Sequence, residues 1–76
     1  MQVSTQDLKK FVNKCQQLFK DPTITIDEVN LDCTWDELAV FYHRDPRPNR
    51  PEYQQVIALT PDGVVHETNT AFRWEK

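Results

Sequence analysis

The sequence predicts an α+β domain in which one N-terminal helix packs on a mostly antiparallel four-stranded β-meander. Three observations support this fold class. Apolar side chains recur at helical spacing in residues 4–20, residues 23–33 alternate like a strand, and residues 53–74 hold two β-prone runs around a turn. A chain of 76 residues is close to the lower size limit for one hydrophobic core. We therefore expect residues 1–76 to form a single domain.

Residues 4–20 are predicted to form a helix with one apolar stripe. Ser4 is a favourable N-cap, and Lys20 in the last turn suits the negative end of the helix dipole. Pro22 disfavours a helical backbone at Asp21, so the helix should end there. A single apolar stripe requires a single partner surface, most simply one face of the sheet. The members of the stripe are Leu8, Phe11, Val12, Cys15, Leu18 and Phe19.

The strand pattern of residues 23–33 changes its phase in the middle. Ile24 and Ile26 share one parity, whereas Val29 and the apolar residues after it share the other. The change falls at the acidic pair Asp27-Glu28 and predicts a β-bulge or a tight bend there. We expect both acidic side chains of this pair to face solvent.

Residues 34–45 fit two structures. Val40-Phe41-Tyr42 is a β-branched and aromatic run that favours a strand, and its alternation suits a strand covered on both faces. Thr34 and Glu37 have the spacing of a capping box, which favours a short helix instead. The strand completes the meander, whereas the helix produces a winged-helix-like α/β fold with a C-terminal hairpin. We favour the strand.

A β-hairpin is predicted around the turn Thr60-Pro61-Asp62-Gly63. Proline at the second position and glycine at the fourth are typical of a tight turn. The turn residues favour a three-residue loop that pairs Leu59 with Val65, whereas the apolar face requires Leu59 opposite Val64. We expect the turn to set the register near the tip of the hairpin and the apolar face to set it near the far end of the two strands. A second bulge near residues 68–70 would reconcile the two.

The composition argues against several classes of function. A net charge of −3 makes the chain a poor non-specific binder of nucleic acid. The single glycine excludes glycine-rich phosphate loops, and no apolar run approaches the roughly 20 residues of a membrane span. Two histidines and two cysteines, His43, His66, Cys15 and Cys33, lack the spacing of metal ligands or of a catalytic nucleophile. We expect reduced thiols, no metal, no cofactor, no enzymatic activity and a cytoplasmic location.

Candidate contact residues lie in two charged segments. Residues 45–51 hold three of the five prolines, which predicts a stiff, extended loop whose arginines contact carboxylates or phosphates of a partner. Residues 21–43 hold six acidic residues and no basic one, which suits a basic partner surface. The predicted partner-binding residues are Arg44, Arg47, Arg50, Asp27, Glu28, Asp36 and Glu37.

The function predicted from these features is a small non-enzymatic protein-interaction module: an adaptor, a regulator or an inhibitor. It acts through a partner protein, either as a monomer or as a homodimer that pairs the edge strand at residues 64–74. One alternative is a winged-helix-like regulator that binds nucleic acid. A second is an acidic mimic of nucleic acid, based on the acidic segment 21–43.

Overall fold

The computed structural model describes residues 2–30 and 37–70. The four strands form one antiparallel sheet in the order β1-β2-β3-β4, with the helix packed against it. The predicted α+β fold, one N-terminal helix on a four-stranded meander, is confirmed. The elements are α1 (Thr5–Lys20), β1 (Ile24–Asn30), β2 (Leu38–Arg44), β3 (Gln55–Thr60) and β4 (Gly63–Glu67).

Helix α1 begins and ends where its capping residues predict. The Ser4 hydroxyl accepts a hydrogen bond from the Asp7 amide at 3.1 Å, which satisfies one of the free N–H groups of the first turn. At the other end Asp21 is extended, as expected for a residue before proline. In the described part of the chain, no helix is both long and apolar enough to cross a membrane.

Only half of the apolar stripe of α1 packs on the sheet. Phe11, Cys15 and Leu18 are buried, whereas 43% of Leu8, 43% of Val12 and 61% of Phe19 remain exposed. At 100° per residue, the exposed group lies roughly 70° round the helix axis from the buried group. The expectation of one partner surface is therefore wrong for the exposed half, because one sheet face cannot reach the full width of the stripe.

Strand β2 decides between the two predicted folds. Residues 38–44 form a central strand between β1 and β3, so the winged-helix-like alternative, which needs a helix there, is wrong. Both faces of β2 are buried, as the run of apolar residues predicts. Val40 and Tyr42 belong to the core under α1, whereas Ala39 and Phe41 belong to an apolar cluster on the opposite face.

The predicted irregularity in β1 is confirmed. The register against β2 shifts between Ile26 and Glu28, so one extra residue, Asp27, is accommodated there. The expectation that both acids face solvent is wrong for Asp27, whose side chain is only 4% exposed. The bulge places Asp27 against His43, which supplies a partner for the buried carboxylate.

The predicted hairpin is confirmed, but its register at the tip is not the expected one. Leu59 pairs with Val64 and Thr60 with Gly63, which leaves a two-residue loop. The face pattern wins because Leu59 and Val64 both pack in the core under α1, and a one-residue slip would turn Val64 to the other face. Gly63 has a φ of +127°, a conformation that glycine adopts without steric cost. Strand β4 ends at Glu67, before the position of the expected second bulge.

Candidate functional site

The proline-rich loop of residues 45–51, called the Arg-Pro loop below, is folded into turns. The Arg47 amide donates to the Arg44 carbonyl at 3.0 Å, and the Arg50 amide donates to the Pro48 carbonyl at 2.9 Å. The peptide bond between Asp45 and Pro46 is cis. The expectation of an extended loop is wrong, because these local backbone hydrogen bonds reverse the chain between β2 and β3.

The three arginines predicted to bind a partner have separate intramolecular contacts. The Arg47 guanidinium lies 4.8 Å from the centre of the Tyr53 ring, within the range of a cation–π interaction. The Arg50 Nε lies 3.3 Å from Glu52 Oε1, with both side chains largely exposed. Arg44 ends β2 on the other side of the loop and reaches the segment between α1 and β1. Among the described residues, the three guanidinium groups therefore bind no common group.

Arg44 holds the chain just after α1. Its Nη1 donates to Thr23 Oγ1 at 2.6 Å and lies 3.3 Å from Asp21 Oδ2. Asp21 also accepts hydrogen bonds from the hydroxyl and the amide of Thr23. The hydrogen bonds from Thr23, followed by that from Arg44, hold the pKa of the Asp21 carboxyl below its ordinary value.

The four acidic residues predicted to bind a partner are placed differently from one another. Glu28 is exposed on edge strand β1, and Glu37 is half-buried beside the start of β2. Asp27 is buried, so its carboxylate faces the interior of the protein. Asp36 lies outside the described residues, as do Cys33 and the two tryptophans. The predicted acidic residues that the structure describes, Asp27, Glu28 and Glu37, therefore do not form one exposed surface.

Asp27 is the centre of a buried polar network on the face of the sheet opposite α1. His43 Nδ1 donates to Asp27 Oδ1 at 2.7 Å, and the Gln54 amide donates to Asp27 Oδ2 at 3.2 Å. Thr70 Oγ1 donates to Gln54 Oε1 at 2.9 Å. Every buried side-chain polar atom of the described residues has a hydrogen-bond partner. The network joins β1, β2, the residue before β3 and the chain after β4, so its role is structural.

A second polar chain lies on the α1 side of the sheet. Tyr42 Oη is 2.9 Å from Gln55 Oε1 and 2.8 Å from His66 Nε2. Because the amide oxygen can only accept, the hydroxyl donates to Gln55 and accepts from a proton on His66 Nε2. Burial raises the pKa of the Tyr42 hydroxyl, and the charge of Arg44 opposes that shift. The hydroxyl is therefore neutral at physiological pH.

His66 also borders an open cleft between α1 and the sheet. The cleft has a volume of about 220 Å³. Its apolar floor includes Leu18 and Ile57, and its rim includes Lys14 and Arg44. Polar side chains from α1, β2 and β4 line this cleft.

The histidines and Cys15 are well separated in the part of the chain that the structure describes. Tyr42, which is hydrogen-bonded to His66, is adjacent to His43 on β2. Adjacent side chains of a strand point to opposite faces, so the two histidines lie on opposite faces of the sheet. Residues 2–30 and 37–70 hold no cluster of three side chains that could bind a metal ion. Cys15 has a free thiol in the core, and burial raises its pKa, which keeps the thiol protonated and unreactive.

The exposed half of the α1 stripe, Leu8, Val12 and Phe19, is the surface feature that sequence reasoning missed. We call it the exposed α1 stripe. A shallow groove of about 390 Å³ runs along it. The angular width of the predicted stripe, about 120° at 100° per residue, could have indicated that one sheet face would not cover it. Among the described residues, the groove is lined by Thr5, Leu8, Lys9, Val12, Asn13 and Gln16.

The chain was compared with models of protein families, with curated proteins and with solved structures, and none of the three comparisons gave a match. The geometry of the described residues is therefore the basis for the proposals below.

Proposed function

We propose that the protein is a small interaction module that binds a partner protein through the exposed α1 stripe. The supporting observation is the exposure of Leu8, Val12 and Phe19 along one side of a helix whose other apolar residues are buried. Leaving three large apolar side chains in water along one line has no benefit for folding. Contiguous exposed apolar surface commonly marks an interaction site.

The rim of the stripe indicates the chemistry of the partner. Helical spacing places Lys9 and Lys20 on the side of the stripe that is farther from the buried residues of α1. The other groove residues on that side are uncharged. An amphipathic partner segment with apolar side chains flanked by Asp or Glu is complementary to this surface. From Leu8 to Phe19 the stripe extends roughly 16 Å, which matches about three turns of a partner helix.

The Arg-Pro loop remains a predicted second contact in this proposal. The pair of Arg50 with Glu52 is exposed, and such pairs contribute only about 0–1 kcal/mol. A partner carboxylate can therefore replace Glu52 at little cost. Glu28 on the edge of the sheet is available to a basic group of the partner. The role as adaptor, regulator or inhibitor, the absence of enzymatic activity and the cytoplasmic location are parts of the same proposal.

No particular observation favours the nucleic-acid alternatives. A mimic of nucleic acid needs carboxylates spread over one exposed surface, whereas Asp27 is buried in its network and Asp21 is paired with Arg44. A winged-helix protein needs a recognition helix, and residues 38–44 form a strand.

Selection of peptides tests both the stripe and the partner chemistry. A phage-displayed library of random peptides is selected on the immobilised protein, and binders are measured again on the double variant Leu8→Ser/Val12→Ser. We expect peptides that combine aromatic or aliphatic residues with Asp or Glu, and about a tenfold or greater loss of affinity on the double variant, equivalent to about 1.4 kcal/mol. The variant Lys10→Gln, on another side of α1, is the matched control.

Two results would contradict the proposal. One is a selection that enriches no common pattern of residues. The other is a set of peptides that bind the double variant as well as they bind the wild type. The double variant Arg47→Ala/Arg50→Ala, tested with the same peptides, measures the contribution of the Arg-Pro loop separately, and equal binding would remove the loop from the proposed surface.

A further inference from the structure

The cleft beside His66 combines an apolar floor with a cationic rim. The floor includes Leu18, Ile57 and Tyr42, which are all buried. The rings of Tyr42 and His66 are inclined by only 25°, with their centres 6.2 Å apart. The floor of the cleft is therefore a surface of aliphatic and aromatic groups.

The rim carries two cations against one carboxylate. Arg44 and Asp21 are paired with each other, and both also bond Thr23. The Lys14 side chain lines the cleft and has no hydrogen-bond or ion-pair partner in residues 2–30 and 37–70. The charge of its ammonium group is therefore available to a ligand.

A polar donor completes the rim. Gln17 contributes a side-chain amide one turn beyond Lys14 on α1. The hydrogen-bond chain from His66 Nε2 through Tyr42 to Gln55 directs the His66 proton to the Tyr42 hydroxyl. This chain fixes the orientation of the imidazole and directs its Nε2 proton to Tyr42, so the neutral donor at the rim is the Gln17 amide.

The size of the cleft limits the ligand. A volume of about 220 Å³ lies below the roughly 300 Å³ at which pockets for drug-sized molecules begin. The ligand is therefore of the size of one aromatic ring or a short aliphatic chain with one polar group.

From this geometry we infer that the cleft binds a small organic carboxylate. Its carboxylate pairs with the Lys14 ammonium, and its apolar part lies on Leu18, Ile57 and the Tyr42 ring. Around the axis of α1, the buried residues lie between the cleft and the exposed α1 stripe. The two proposals are therefore independent, and either can fail without the other.

Nuclear magnetic resonance titration tests the site. The probes are benzoate, its neutral analogue benzamide, and inorganic phosphate, each added to the isotope-labelled protein. With benzoate we expect saturable shifts of the backbone amides of Lys14, Leu18, Tyr42 and His66. The variant Lys14→Gln should weaken benzoate binding about threefold to fivefold, the size of one exposed ion pair. Lys9→Gln, which removes a cation from another side of α1, should leave it unchanged.

The same titrations contain the results that would overturn the inference. Absence of saturable benzoate shifts at the cleft, or equal binding by wild type and Lys14→Gln, excludes the proposed site. Benzamide shifts equal to those of benzoate exclude a role for the charge. Phosphate shifts equal to those of benzoate exclude a role for the apolar floor. Lys14 is exposed, so the variant is expected to fold, and a thermal midpoint equal to that of the wild type is the check on this.

Discussion

Asp27 is a residue whose environment could not be inferred from its position in the chain. It is an acid next to another acid in an edge strand, a pattern that is typical of an exposed surface. In the structure the bulge directs its side chain inward, where His43 and Gln54 donate to its two oxygens. Burial of a carboxylate is tolerable only with such partners. The sequence contained all three residues, but the contact between them depends on the pairing of β1 with β2.

Replacing Asp27 by asparagine tests the network. The isosteric change Asp27→Asn removes the charge that strengthens both hydrogen bonds and leaves one amide N–H facing a donor. We expect a loss of about 1–3 kcal/mol in the free energy of unfolding, measured by urea denaturation. The exposed neighbour provides a matched control, since Glu28→Gln should change stability by less than about 0.5 kcal/mol. Equal effects of the two changes would show that the network contributes no stability.

Asp21 predicts a dependence of stability on pH. Its folded-state pKa is lowered, chiefly by hydrogen bonds from Thr23 and then by Arg44. A lowered pKa means that the unfolded state takes up the proton first, so the stabilisation is complete above the ordinary value of 3.8 and is lost as the pH falls below it. We expect Asp21→Asn to flatten this part of the profile, measured as the thermal midpoint against pH. An unchanged acid slope in the variant would contradict the assignment to Asp21.

At the scale of the elements, periodicity predicted where each helix or strand lies in the chain better than it predicted how the elements pack and align. The capping residues Ser4 and Pro22 mark α1 correctly, because they act within one turn of the helix. The hairpin turn is also local, and its place in the chain was correct. Its register was decided elsewhere, by the packing of Leu59 and Val64 under α1. Local signals therefore located elements, whereas packing set their alignment.

The two halves of the α1 stripe should respond differently to truncation. Phe11→Ala removes a buried ring and should cost about 3–5 kcal/mol, a large part of the roughly 4–11 kcal/mol expected for a domain of this size. Phe19→Ala removes a ring that is 61% exposed and should cost less than about 1 kcal/mol. Chemical denaturation measures both changes. If the Phe11 variant is unfolded, Phe11→Leu provides a milder comparison that should still exceed the Phe19 variant. Similar losses for both positions would mean that the exposed α1 stripe contributes to folding.

At the scale of the whole molecule, the meander brings together residues that are distant in the chain. The cleft needs Lys14 from α1, Tyr42 from β2 and His66 from β4, and no spacing between these positions is a recognised motif. The buried network likewise joins Asp27 to Thr70 through Gln54. Neither site could be predicted, because each depends on which side of a strand faces the helix and on the register between strands.

The sequence by itself determined the α+β class, the limits of α1, the bulge in β1 and the place of the hairpin. These depend on interactions within a few residues, such as caps, turns and alternation, and the pattern of residue types records them directly. The tertiary structure alone decided the burial of Asp27, the exposure of half of the α1 stripe and the assembly of the cleft beside His66. The physical reason is geometric: a helix stripe about 120° wide rests on one sheet face, so packing selects which side chains are buried and which remain available to a partner.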